Sequence, residues 1–202
     1  MSALSVREAA ARIRRGELVA YPTETVWGLA ADARSETAVE KLYTWKGRAP
    51  QQPISLLVSD YSELERLGAE PAPLAARLAA KFWPGPLTLV VRCARGFARG
   101  IASGDGGVGF RCSPHPVARA LAREAGVITA TSFNRSGAPA CATRAEAEAC
   151  ANGEVALVAG EDASGAAPSS VVDASGAKLR VLREGAIPAR VLEAALSGEV
   201  RG

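Results

Sequence analysis

Short apolar runs alternate with amphipathic stretches through most of the chain. Leu18 to Tyr21, Ile54 to Val58, Leu87 to Val91, Val127 to Ala130 and Val155 to Ala159 are runs of four or five residues bounded by turns, the pattern of buried strands. Between them lie helical signals. Ser5-Val6-Arg7-Glu8 has capping-box spacing before an alanine-rich segment that stops at Gly16, which predicts a helix over 5–15. After Tyr21 and the polar turn Pro22-Thr23-Glu24-Thr25 a helical pattern follows, with Ser35 as cap and Val39, Leu42 and Tyr43 facing inward. Asp60-Tyr61-Ser62-Glu63 repeats the cap spacing and opens a short helix. A further helix over 73–82 ends at Trp83-Pro84-Gly85-Pro86, where two prolines cannot continue it. Pro116, Thr143 and Pro188 each mark another helix start, and the runs 169–173 and 178–182 flank Ser175-Gly176 as a hairpin. Strands alternating with helices, plus one late hairpin, predict an α/β fold: a single domain over 1–202 with a twisted, open, mixed sheet and flanking helices.

Composition adds few restrictions. The 24 Lys and Arg against 21 Asp and Glu leave a net charge of +3, a mild excess that suits an anionic ligand and falls short of a committed nucleic-acid binder. No run approaches the 18 apolar residues of a membrane helix, and Met1-Ser2-Ala3-Leu4 leads into charged residues without an apolar signal core, so the expectation is a cytoplasmic protein with no membrane partner. Cys93, Cys112, Cys141 and Cys150 show no CxxC pairing and His115 stands alone, which predicts four buried, reduced thiols and no metal ligands.

One motif is rejected on context. Gly104-Asp105-Gly106-Gly107-Val108-Gly109 matches the dinucleotide pattern GxGxxG, but that pattern must open a helix, and here it runs into the strand-like Val108-Gly109-Phe110-Arg111. No Walker GxxxxGK[ST] is present.

Polar clusters punctuate the ends of elements. Thr23 to Thr25 follow the first strand, Lys46-Gly47-Arg48 ends a helix, Ser132 and Asn134 follow a later strand, and Ser169-Ser170 opens the hairpin; Arg111 and Arg183 lie on or beside strands. Gly47 lets the backbone bend so that Lys46 and Arg48 approach one anion. Such hydroxyls, amides and cations, with no nucleophile–base pair, suit binding a polyanion and steering phosphoryl or adenylyl transfer. Each cluster also has a plainer account: Thr23 and Thr25 bonding their own turn, Ser132 and Asn134 as a turn and cap, Lys46 and Arg48 as a solvated helix end. Arg111 is least at ease in the plain account, since a guanidinium in an apolar strand needs a carboxylate. His115, between two prolines, reads as structural, and Trp27, Trp45 and Trp83 as core or cavity wall.

Taken together, YPTETVWGLAAD, KGR, FWPGPLTLVV, the Phe110-Arg111 to His115-Pro116 stretch, ITATSFNRSG, SSVVD and LREG occur in the order and spacing of one family. Over about residues 5–190 the chain resembles the YrdC/TsaC family of threonylcarbamoyl-AMP synthases. The resemblance implies a YrdC-like α/β fold with a large, basic, concave cavity. It also implies a reaction in which L-threonine, bicarbonate and ATP give L-threonylcarbamoyladenylate and pyrophosphate, the first step toward the threonylcarbamoyl-adenosine of tRNAs that read codons beginning with A. By position, Lys46, Arg48, Ser132 and Asn134 would hold phosphates and adenylate, with Lys46 and Arg48 carrying the catalysis and Arg183 a further ATP-side contact. Thr23, Arg111 and Ser169 would take threonine, Arg111 by its carboxylate. Glu24 receives no role. Mg2+ would arrive with ATP and bridge phosphate oxygens, since no carboxylate cage is visible.

The resemblance is to the short, stand-alone bacterial type, which passes its product to separate transferase proteins. It leaves open a weak binder of tRNA or double-stranded RNA, and a YciO-like paralogue without this activity. Departures from the usual letters fall at Trp27, Ala30, Ala49, Gln52, Phe133 and Glu184. Phe133, the largest, is expected to narrow or reshape the adenine side of the cavity.

Overall fold

The computed structural model describes residues 3–49, 52–94, 96–163 and 167–197. Its helices follow their caps. Helix α1 (Val6–Arg14) carries both bonds of the Ser5–Glu8 capping box, and α2 (Glu36–Lys46) starts at Ser35 and ends on Gly47 at φ 62°, a left-handed position that favours glycine. Pro73 and Pro116 sit in the first turns of α4 (Pro73–Phe82) and α5 (Pro116–Ala125), and His115 caps α5 by accepting the Val117 amide at Nδ1. Helices α6 (Arg144–Ala151), with its Thr143–Glu146 box, and α7 (Ala189–Ser197) fall at their expected starts. The short α3 (Glu63–Arg66) differs in mechanism: Ser62 makes no side-chain cap, and Glu63 instead accepts from the amide and hydroxyl of Ser59. Among the described residues no helix is long and apolar enough to cross a membrane.

The strands are β1 (Val19–Tyr21), β2 (Gly28–Ala30), β3 (Ser55–Leu57), β4 (Ala69–Glu70), β5 (Leu87–Cys93), β6 (Gly107–Arg111), β7 (Ile128–Ser132), β8 (Ala156–Leu157), β9 (Ser170–Asp173) and β10 (Arg180–Arg183). They form one mixed sheet in the order β10-β9-β5-β6-β3-β7-β2-β1-β8, with β4 beside β5. The glycine-rich stretch 104–109 enters β6, not a helix, as its context requires. Two strands escape the sequence pattern. The segment after Thr25 first forms β2, antiparallel to β1, before α2 begins, and β4 has only two residues.

Register explains where a cavity can form, because paired residues point to the same face of a sheet. Ala20, Leu29, Leu56, Leu89, Phe110 and Val172 share one face and join α2 and α4 in a continuous core. On the other face Val19, Ala30, Leu57 and Ile128 pack against Ala9 and Ile13 of α1 and Leu121 of α5. That cover is partial. The rest of this face carries Tyr21, Gly28 and Ser132 in one cross-strand row, Ser55 opposite Ala130, and Arg111, Thr88, Val171 and Arg183 in another row.

All four cysteines are free thiols. Cys112 and Cys141 are buried, but Cys93 and Cys150 are only partly so, which corrects the expectation of four buried thiols.

Candidate functional site

The uncovered part of the sheet is the floor of a cleft that encloses about 200 Å3. Its depth comes from small side chains. Gly28, Ser55, Ala130 and Ser132 lie where larger residues would fill the space, and a Cβ on Gly28 would meet the Tyr21 ring at 2.6 Å. The walls are Thr23, Val26 and Trp27 after β1, Arg48 and Pro53 after α2, Thr88 and Arg111 on the sheet, and Pro168, Ser169 and Arg183 at the hairpin. Six of the eight residues expected to form the site therefore meet here: Thr23, Arg48, Arg111, Ser132, Ser169 and Arg183.

Lys46 and Asn134 do not line the cleft; they brace it. The Lys46 side chain is 3% exposed, and its ammonium donates to Ser132 O (2.5 Å), Asn134 O (3.0 Å) and Asn134 Oδ1 (3.0 Å). Ser132 Oγ donates to the same Oδ1 at 2.7 Å, and Asn134 Nδ2 donates to Ala138 O. Gly47 thus does the reverse of bringing both cations to one anion. It sends Lys46 under the 132–134 turn and Arg48 into the cleft wall. Burial, then the nearby Arg48 charge, pulls the Lys46 ammonium down to about 8; its three oxygen acceptors work in the opposite sense.

Three guanidiniums line the cleft. Arg48 donates to Pro53 O, and its buried Nε has no hydrogen-bond partner among the described residues. Arg183, at the exposed rim, donates to Ser169 O at 2.7 Å. Desolvation, then the positive charges of Arg111 and Arg48, lowers the pKa of Arg183, so the three cations feel one another. Arg111 has the carboxylate that its setting calls for: Nη2 donates to Glu24 Oε1 at 2.7 Å and to Thr25 Oγ1 at 2.8 Å.

The turn after β1 bonds itself, as its plain account expects, and still faces the cleft. Thr23 Oγ1 donates to Val26 O at 2.6 Å and accepts from the Thr25 amide at 3.3 Å. Its only proton is thereby used, so the 3.2 Å contact between the two hydroxyls has Thr25 as donor. A directed chain runs from Arg111 through Thr25 and Thr23 to Val26 O. Ser169, 4% exposed, lies 3.0 Å from the Thr88 hydroxyl.

Sequence reasoning missed Thr88, Ser55 and Glu24. Thr88 reads as an ordinary strand former, and only the register opposite Arg111 places it in the cleft. Glu24 had a usable signal, as the acid in the polar turn when Arg111 needed one. Phe133 does not line the cleft: it is fully buried and stacks on Trp45 (4.8 Å between centroids, 11° between planes), and Arg135 lies over the Trp45 ring at 4.2 Å.

The family described as telomere recombination, Sua5_yciO_yrdC, matches residues 11–185. The chain belongs to this family. It is 44% identical over 144 residues to the threonylcarbamoyl-AMP synthase of Bacillus subtilis (strain 168), covering 70% of this chain and 41% of that one. It is 35% identical over 198 residues to the threonylcarbamoyl-AMP synthase of Pyrococcus abyssi, covering 97% and 58%. The chain therefore spans about half the length of these two relatives. The crystal structure of P. abyssi Sua5 complexed with L-threonine superposes with a TM-score of 0.88 at 34% identity, over 95% of this chain and 57% of that one.

Proposed function

We propose that this chain is a threonylcarbamoyl-AMP synthase of the nucleotidyltransferase type, which condenses L-threonine, bicarbonate or CO2 and ATP into L-threonylcarbamoyladenylate and pyrophosphate for tRNA modification. The observation that carries this reading is the convergence of Arg48, Arg111 and Arg183, with the hydroxyls of Ser132 and Ser169, on one cleft in a member of this family. A relative solved with L-threonine gives the substrate class.

In this reading Arg111 receives the amino-acid carboxylate through a charge-assisted hydrogen bond from Nη1, since Nη2 is held by Glu24 and Thr25, and Arg48 and Arg183 take the polyphosphate. The neutral amine of threonine adds to CO2 and loses one proton to solvent, which gives an N-carboxylate. One oxygen of that group attacks the α-phosphorus of ATP, and the bond to the bridging oxygen breaks to release pyrophosphate. No covalent nucleophile is needed. The side chains align the two anions, spread their charge and keep water from the labile carbamate. Thr23, whose donor is committed to Val26 O, acts through the shape of the wall. Lys46 acts through the 132–134 turn that it holds.

Mg2+ would come with the nucleotide and neutralise phosphate charge. Among the described residues the cleft wall contributes no carboxylate, and no group of three or more His, Cys, Asp or Glu is gathered to hold a metal. The product is passed to tRNA threonylcarbamoyl transferase proteins in the cytoplasm.

The test is to incubate the protein with ATP, Mg2+, bicarbonate and L-threonine, and to follow pyrophosphate and an adenylated carbamate by mass spectrometry. Both should appear and should need threonine. Pyrophosphate released at the same rate without threonine would overturn the substrate assignment.

A further inference from the structure

We propose that Glu24 is a positioning residue which fixes the Arg111 guanidinium so that Nη1 is presented to the amino-acid carboxylate, an inference that rests on the reading of the cleft given above. Glu24 does not line the cleft; it lies behind Arg111. Its Oε1 takes Nη2 of Arg111, while its Oε2 accepts from Ser113 Oγ at 2.5 Å. Ser113 is fully buried, and its oxygen already accepts the His115 amide at 3.1 Å, so its proton is aimed at Glu24. Donors therefore converge on the carboxylate: the His115 amide donates to Ser113 and Ser113 to Glu24 from the cap of α5, and Arg111 donates to Glu24 from the cleft side.

The other hold on Nη2 is Thr25 Oγ1. Two fixed acceptors on one terminal nitrogen leave a planar group a single orientation, and the entropy of ordering it is met before any ligand arrives. The Nε of Arg111 is buried without a hydrogen-bond partner among the described residues. Closed off in this way, Nε offers a ligand nothing, and Nη1, which makes no hydrogen bond among the described residues, is the nitrogen left for a substrate carboxylate. The Glu24 charge itself opposes a second carboxylate nearby. Its benefit must come from geometry, and this separates the proposal from simple charge balance.

The experiment measures L-threonine binding by calorimetry and ATP binding by fluorescence competition, for the intact chain and for Glu24→Ala, Glu24→Gln and Ser113→Ala, each with a thermal melt. Glu24→Ala should weaken threonine binding at least tenfold and leave ATP binding within twofold. Glu24→Gln, which keeps an acceptor for Arg111, should restore threonine binding to within about threefold, and Ser113→Ala should fall between. Threonine binding unchanged in Glu24→Ala, equal losses for threonine and ATP, or Glu24→Gln as damaged as Glu24→Ala would each overturn the proposal. A wild-type chain that binds no threonine would instead overturn the proposed function.

Discussion

At the scale of single residues, Lys46 shows how burial changes what a cation does. Its ammonium is enclosed by three oxygens of the 132–134 turn, with no carboxylate recorded among those partners. Truncation to Lys46→Ala strips a donor from three acceptors and should cost about 1–3 kcal/mol, or roughly 3–10 °C in Tm for a chain of this size. Arg48→Ala, whose side chain makes one recorded bond to Pro53 O, should lose activity with a melt within about 2 °C of wild type. The Lys46 pKa adds a sign. Its value is about 8 when folded against an ordinary 10.5, so between those two pH values the unfolded chain holds more protons and stability rises with pH. Urea midpoints for wild type and Lys46→Met, taken from pH 7.5 to 9.5, should move apart in favour of wild type by on the order of 1 kcal/mol. A difference independent of pH would mean that the three acceptors cancel the burial. The motif around Lys46 was readable in the sequence, but its burial was not, because the partners lie 86 and 88 residues away.

At the scale of elements, the hairpin shows a division of labour between adjacent serines. Ser169 faces the cleft, whereas Ser170 is fully buried and works as a clip. Its hydroxyl donates to Ile187 O at 2.6 Å and accepts from the amides of Gly185 and Ile187 at 3.0 Å each. These bonds tie the chain after β10 to the start of β9, and Gly185 passes so close that a Cβ would fall 2.2 Å from Pro168 O. Arg183 sits just before this tie and takes its place on the rim from it. Ser170→Ala leaves two donors and an acceptor unsatisfied, and should cost about 2–4 kcal/mol in urea unfolding. It should also raise the KM for ATP several-fold with kcat nearly kept. A normal KM in a destabilised variant would show that Arg183 is held by β10 pairing alone. Helix starts were legible because caps and prolines act locally, as at Ser5, Pro73, Pro116 and Thr143. Strand β2 was not, since its three residues Gly28–Ala30 form no period, and its order comes from pairing with β1 and β7.

At the scale of the molecule, the site exists because one face of a wide sheet is covered and the other only in part. The alternation of strands and helices was enough to predict that sheet. The rows that bring Arg111, Thr88, Val171 and Arg183 side by side depend on register between β6, β5, β9 and β10, which alternation does not encode. The same arrangement bears on two uses of positive charge. The chain as a whole carries only +3, and three of its guanidiniums line one cleft, where a compact polyanion would meet all of them at once. A surface that tracked an RNA backbone would instead spread its cations along a line, and each neutralised phosphate would release counterions. For a protein touching four or more phosphates, log K should then fall with log salt at a slope of about −3 or steeper. ATP held in a partly enclosed cleft is screened less, and its slope should be about half that or shallower. Titrations of ATP and of a double-stranded RNA between 50 and 300 mM salt would measure both. RNA bound in the nanomolar range with the steep slope, beside ATP bound weakly or not at all, would mean that the cleft has been assigned the wrong polyanion.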